Sequence, residues 1–276
     1  MVLDAEATPF TRIWCAFEES IAVTMDNAAR PGKGHFLLDI ATVPSGNPET
    51  HSDNKAELLT DGLSPVEQEM EVERQKQGFG DSGWLAKSNR EQRFPIVVIH
   101  AALQKFTVVK AEASKKEDRT NILNSIVGRK SAELHLEPLV THPRYDEVDD
   151  TLKSIFAEAA IRKAVAEELE LNPLTTALRK GTARKALRFT FSELESTFGA
   201  AHLQALSESF PEKLESLDAA FSRCKQLADV AALGAGLEKL QALTSLNLNF
   251  RGCAQLHSDL QTGFRSKVEF VEALGA

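Results

Sequence analysis

Five places in the sequence gather residue types that could do chemistry. Cys224 and Cys253 occupy equivalent slots 29 residues apart, a pairing that would suit a metal or a redox couple. A small, weakly donating side chain recurring at one slot of a repeat has a packing explanation that needs neither. His135, His142 and the acidic run Asp146 to Asp150 carry ligand atoms, but their spacing matches no helical or knuckle pattern and reads as solvated loop. Gly32-Lys33-Gly34 lacks the GxxxxGK[ST] frame and the preceding strand of a phosphate loop, and reads as a turn. Arg179 to Arg188 (RKGTARKALR) is a basic stretch in an acidic chain. It would suit a phosphate or an acidic partner, and more simply a solvated helix face paired with the acidic run Glu167 to Glu170. Finally, Arg12 to Glu18 (RIWCAFE) sets Trp14, Cys15 and Glu18 within two turns of a helix. None of these patterns calls for a metal or a cofactor.

The elements that would position these residues follow from hydrophobic period. Thr11 to Met25 reads as an amphipathic helix with Ile13, Trp14, Phe17, Ile21 and Ala22 on its inner face, broken by Ala29 to Gly34. Phe36 to Ala41 reads as a buried strand. Residues 43–93 change in composition and read as a flexible insertion, with room for a broken helix between Ala56 and Met70. Pro95 to Leu103 reads as a proline-capped helix, with its β-branched content leaving a strand open, Phe106 to Ala111 as an alternating strand, and Lys115 to Val127 as a helix stopped by Gly128. That alternation predicts an α/β layer. Ser131 to Pro143 is irregular, Val148 to Leu169 a long helix, and Pro173 to Leu187 a basic one.

The strongest signal is an internal repeat. Leu214 to Leu227 (LESLDAAFSRCKQL) overlays Leu243 to Leu256 (LTSLNLNFRGCAQL), matching Leu217 with Leu246, Phe221 with Phe250, Cys224 with Cys253 and Leu227 with Leu256. Leu187, Phe189 and Phe191 form a weaker earlier copy, standing where Leu246, Leu248 and Phe250 stand. Each copy predicts a short strand with one buried face, followed by a cysteine at a turn where its thiol caps buried carbonyls. Leu227 to Leu240 supplies the return crossover. Asp218 and Ala220 in one copy, and Asn247 and Asn249 in the other, would then face outward as a partner-binding surface.

These units resemble the cysteine-containing leucine-rich repeats of large protist families, with their L-x-x-L-x-L-N-F-x-x-C-x-x-L pattern. The resemblance covers roughly residues 185–260 and implies a repeat solenoid that recognises another protein. Lys267 to Ala276 reads as an unfinished unit or a makeshift helical cap, and the chain as a possible piece of a longer array. Separately, Arg12 to Glu18 is similar to the R-x-W-C-x-x-E helix of TIR-like domains. In NAD-cleaving members of that family the helix glutamate is the catalytic acid, a role the resemblance would carry onto Glu18. The strands, helix and phosphate-contacting loop that precede this helix in the family have no counterpart in residues 1–11. Without an opposing pocket a carboxylate cannot orient a dinucleotide, so binding is the favoured reading over catalysis.

Composition sets the outer bounds. The chain has 276 residues, 42% hydrophobic and 26% charged, with a net charge of -8. An acidic balance argues against a nucleic-acid partner. No apolar run approaches a membrane span, residues 1–10 lack a signal-peptide pattern, and three scattered cysteines make no disulfide framework. The expectation is a reduced cytoplasmic protein in three parts: a partial α/β region over 1–130, a helical connector over 131–185, and degenerate repeats over 186–276.

Overall fold

The computed structural model describes residues 1–23, 39–42, 56–60, 62–77, 82–192, 194 and 196–275. Among these the architecture is mixed α and β, with two small sheets set apart along the chain. The turn Gly32-Lys33-Gly34 lies outside the described residues, as do Met25 and the first half of the strand expected at Phe36 to Ala41.

The first sheet joins β1 (Val2–Leu3), β2 (Asp39–Thr42) and β3 (Glu57–Thr60) in that order. β1 and β2 are parallel, β2 and β3 antiparallel. Seven helices belong to this half among the described residues: α1 (Ile13–Val23), α2 (Pro65–Gln77), α3 (Gly83–Glu91), α4 (Ile96–Lys105), α5 (Lys116–Ile126), α6 (Pro143–Ala166) and α7 (Asn172–Lys180). Its core centres on Phe10, which meets Phe106 and Phe156 edge to face at centroid distances of 5.1 and 5.5 Å.

Several expectations need correction. The strand at Phe106 to Ala111 is a 3-10 turn (Val108–Lys110), leaving a single parallel bridge from Arg12 to Glu112. Phe106 and Val108 are both buried, and Asp149 Oδ1 accepts the Val108 N–H at 2.8 Å, so a side chain replaces a sheet neighbour. The α/β alternation over 94–127 is therefore helix, turn, helix. Nor is 43–93 simply an inserted loop: it holds β3, α2 and α3. The helix expected at Pro173 to Leu187 ends at Lys180, and its tail becomes a strand.

The face of α1 is also rotated from its expected setting. Ile13 and Ala16 are buried, but Trp14 is 51% and Ile21 42% exposed, while Glu19 is only 3% exposed. Hydrophobic period places apolar residues inside, and a buried carboxylate at that position defeats it.

The second sheet orders β4 (Ala186–Thr190), β5 (Ser216–Ala220), β6 (Ser245–Asn249) and β7 (Gly263–Phe264). The first three are parallel and begin 30 and 29 residues apart, while β7 is antiparallel to β6. Helices α8 (Ala200–Ser207) and α9 (Ala231–Glu238) return the chain between the parallel strands, and α10 (Lys267–Gly275) follows β7. The pairing Leu187–Leu217–Leu246 is in register with the repeat read from sequence.

Candidate interaction face

Strand alternation sorts the residues of the second sheet into two faces. Leu187, Phe189, Leu217, Ala219, Leu246 and Leu248 are buried against the return helices. Directly after each strand a phenylalanine turns inward, and these rings stack across the coils. Phe191 and Phe221 lie 5.6 Å apart at 11°, Phe221 and Phe250 5.1 Å apart at 6°, and Phe270 of α10 continues the column at 5.9 Å from Phe250.

The cysteines tie each coil to the one before. Cys224 Sγ donates to Phe191 O at 3.3 Å and Cys253 Sγ to Phe221 O at 3.0 Å, both fully buried. Burial pushes the Cys224 thiol up to about 12, so it stays protonated and able to donate. Arg223 and Gly252 precede the two cysteines in left-handed conformations, φ +63° and +75°, which turn the chain at the same slot in each unit.

The outer sides of β4 and β6 are both met by other elements. Along β4, residues of α6 one turn apart satisfy the outer backbone groups: Glu158 Oε1 accepts the Arg188 N–H at 2.8 Å, and Arg162 Nη1 donates to Thr190 O at 2.9 Å. Arg184 also pairs with Glu158 and Lys185 with Glu215. These partners correct the expected pairing of the basic stretch with Glu167 to Glu170. At the other edge β7 pairs with Leu248 and Asn249, and Thr262 O accepts the Phe250 N–H at 2.8 Å.

The opposite face carries a connected polar row. Arg188, Asp218 and Asn247 are register partners, and the row is bonded along its length. Arg188 Nη2 lies 3.0 Å from Asp218 Oδ2, and Asn247 Nδ2 donates to Asp218 Oδ1 at 3.0 Å. Partial burial raises the Asp218 pKa, opposed first by Arg188 and next by the Asn247 bond. In the next row Ala220 pairs with Asn249, whose Oδ1 accepts the Arg251 N–H at 3.1 Å. Thus Asp218, Ala220, Asn247 and Asn249 share one face, as their spacing implies.

Two members of the face escaped sequence reasoning. The basic stretch Arg179 to Arg188 reads as a helix face, although Arg188 lies inside the weak third copy, between Leu187 and Phe189, where alternation sets it beside Asp218. Trp84 gives no signal in the sequence: it ends the glycine-rich segment QKQGFGDSGW, yet its ring covers the Arg188 guanidinium at 3.9 Å.

The remaining candidates lie elsewhere. Glu18 is exposed on α1. Its neighbour Glu19 is the perturbed group, raised to about 7 because burial penalises its charge. Burial also raises the half-buried Cys15. His142 caps α6 through Nδ1, accepting the Arg144 N–H at 3.1 Å, and Asp149 is committed to Val108, with burial raising it to about 6. Among the described residues no three His, Cys, Asp or Glu side chains gather to hold a metal ion. An open polar cleft of about 220 Å³ between α7 and α8 is lined by Asn172, Thr175, Arg179 and Glu208, so that of the basic stretch Arg179 to Arg188 only Arg179 reaches it. No helix among the described residues is long and apolar enough to cross a membrane.

Comparison with protein-family models, with curated proteins and with solved structures finds no match to this chain.

Proposed function

We propose that the chain is a protein-interaction module of leucine-rich-repeat type that engages another protein through the outward face of β4, β5 and β6. The observation that carries this reading is the bonded row Arg188–Asp218–Asn247, a set of polar side chains fixed in place on strands met on both outer sides by other elements. Fixed polar groups lose little freedom on binding and impose geometry on a partner. Strand register holds them at sheet spacing of roughly 4.7–4.9 Å, so each unit adds one position to a continuous surface. The buried face supports the same reading, since it carries only packing and carbonyl-capping roles.

A photo-activated cross-linking residue placed at Asn247 tests it, with one at Lys239 on the opposite side as control. Covalent adducts from cells at position 247 and none at 239 are expected. Equal adducts at both, or adducts only at 239, would overturn the assignment of the face.

A further inference from the structure

We infer that helices α2 and α3 form a releasable cover over the β4 and β5 part of the outward face, latched by Trp84 on Arg188. Its functional consequence rests on that face being the partner-binding surface; the cover itself is testable without any partner.

Within the cover the attachments are dense. Arg90 Nε donates to Glu67 Oε1 at 2.9 Å, Nη2 to Thr60 Oγ1 at 2.9 Å and Nη1 to Leu58 O at 3.0 Å. Glu91 accepts from the Thr60 N–H at 3.0 Å and from Lys87 Nζ at 2.7 Å. At Gly83 the helices cross so closely that a Cβ would lie 1.8 Å from Glu67 O. A guanidinium on α3 bonded to both α2 and β3, with its carboxylate partner buried, makes β3, α2 and α3 move as one body about the ladder that β3 shares with β2.

The hold on the strand face is of another kind. It comprises the Trp84 ring over Arg188, with Glu71 and Arg74 of α2 near enough to act on the Asp218 carboxylate. α3 also touches α6, which gives the body a flank to turn against. A cation–π contact tolerates water and breaks without leaving a buried group unpaired, since Arg188 keeps Asp218. Exposure follows the cover: Asn247 on β6 is exposed, whereas Asp218 and even Arg188 on the edge strand are half-buried. A partner one strand wide reads β6 with the cover in place. A partner spanning three strands has to displace it, and its apparent affinity falls by the fraction of molecules already open.

Thiol labelling in the full chain measures this directly. In a background with Cys15→Ala and Trp14→Phe, Asp218→Cys and Asn247→Cys are each reacted with a maleimide. Position 218 is expected to label at least ~10-fold more slowly than 247, and Trp84→Ala to bring the two within ~3-fold, since local opening governs access to a covered site. The second readout is Trp84 as sole tryptophan: Arg188→Gln should raise its quenching by acrylamide at unchanged far-ultraviolet dichroism. Equal labelling at 218 with and without Trp84, fast labelling there in the parent, or unchanged quenching in Arg188→Gln would each overturn the cover. Absence of cross-linking at 247 would overturn the binding reading and leave these results standing.

Discussion

The strand–helix stack of residues 186–275 and the helical half before it bury similar apolar side chains but satisfy their polar groups in opposite ways. In the stack, what one coil lacks the next supplies: Phe221 O takes the thiol of Cys253, and Phe221 stacks between Phe191 and Phe250. In the helical half each need is met once, by a unique partner. Asp149 serves Val108, Asn124 Nδ2 serves Leu134 O and Leu136 O, and Arg90 binds Glu67. Glu19 Oε2 is buried with no hydrogen-bond partner among the described residues. Repetition makes interactions interchangeable between coils, whereas singular staples concentrate the cost of an error at one place.

Four measurements break or sharpen this contrast. Phe221→Ala removes the middle ring of the column and is expected to cost about 3–5 kcal/mol, read by urea unfolding. If dichroism and tryptophan emission, which reports the helical half through Trp14 and Trp84, shift to the same new midpoint, the two regions unfold together. A shift in dichroism alone would show them to be separate cooperative units.

Glu19 is the converse probe. Its folded pKa of about 7 exceeds the usual 4.5, so the folded state binds its proton more tightly than the unfolded state does. Its contribution to stability is therefore present below about pH 4.5 and is lost as pH rises toward 7. Asp149, raised to about 6, acts with the same sign over a lower window. Glu19→Gln is expected to match the parent at pH 4 and to exceed it by on the order of 2–3 kcal/mol at pH 8, followed by thermal melts. An unchanged pH slope would place Glu19 in contact with water.

Cys253→Ala should cost about 1–2 kcal/mol by removing the thiol bond to Phe221 O, which keeps only the Cys224 N–H, and by leaving a small void inside the stack. Cys15→Ala, half-buried and outside it, should cost less than about 0.5. Equal costs would remove the special role of the repeated cysteine. Arg223→Gly carries the smallest effect. It places glycine at a left-handed turn, as Gly252 does one coil later, and should stabilise by about 0.5–1 kcal/mol, seen as a rise in Tm.

How much of this was legible depended on whether a signal repeats. Leu217 with Leu246 and Asp218 with Asn247 could be paired on paper because the same types recur 29 residues apart and strand alternation sends them to opposite faces. The carbonyl-capping thiol followed from the same recurrence. The helices at Pro95 and Lys115 were readable from local punctuation, the proline at one start and Gly128, with φ +82°, at the other end. Phe106 to Ala111 misled because alternation is only a strand signal when a neighbour strand exists. Here Asp149 met the backbone instead.

The sequence by itself determined the strand register of the stack, the inward and outward sides of β5 and β6, and the place of the cysteines, because each is a local pattern stated twice. Only the tertiary structure decided that Glu158 and Arg162 close the edge of β4, that Glu19 and not Glu18 is the buried carboxyl, and that Trp84 lies over Arg188. Those contacts join residues 28 to 104 positions apart or depend on which side of one helix meets the core. No period encodes them: they exist only once the chain has closed and the same buried space has to be shared.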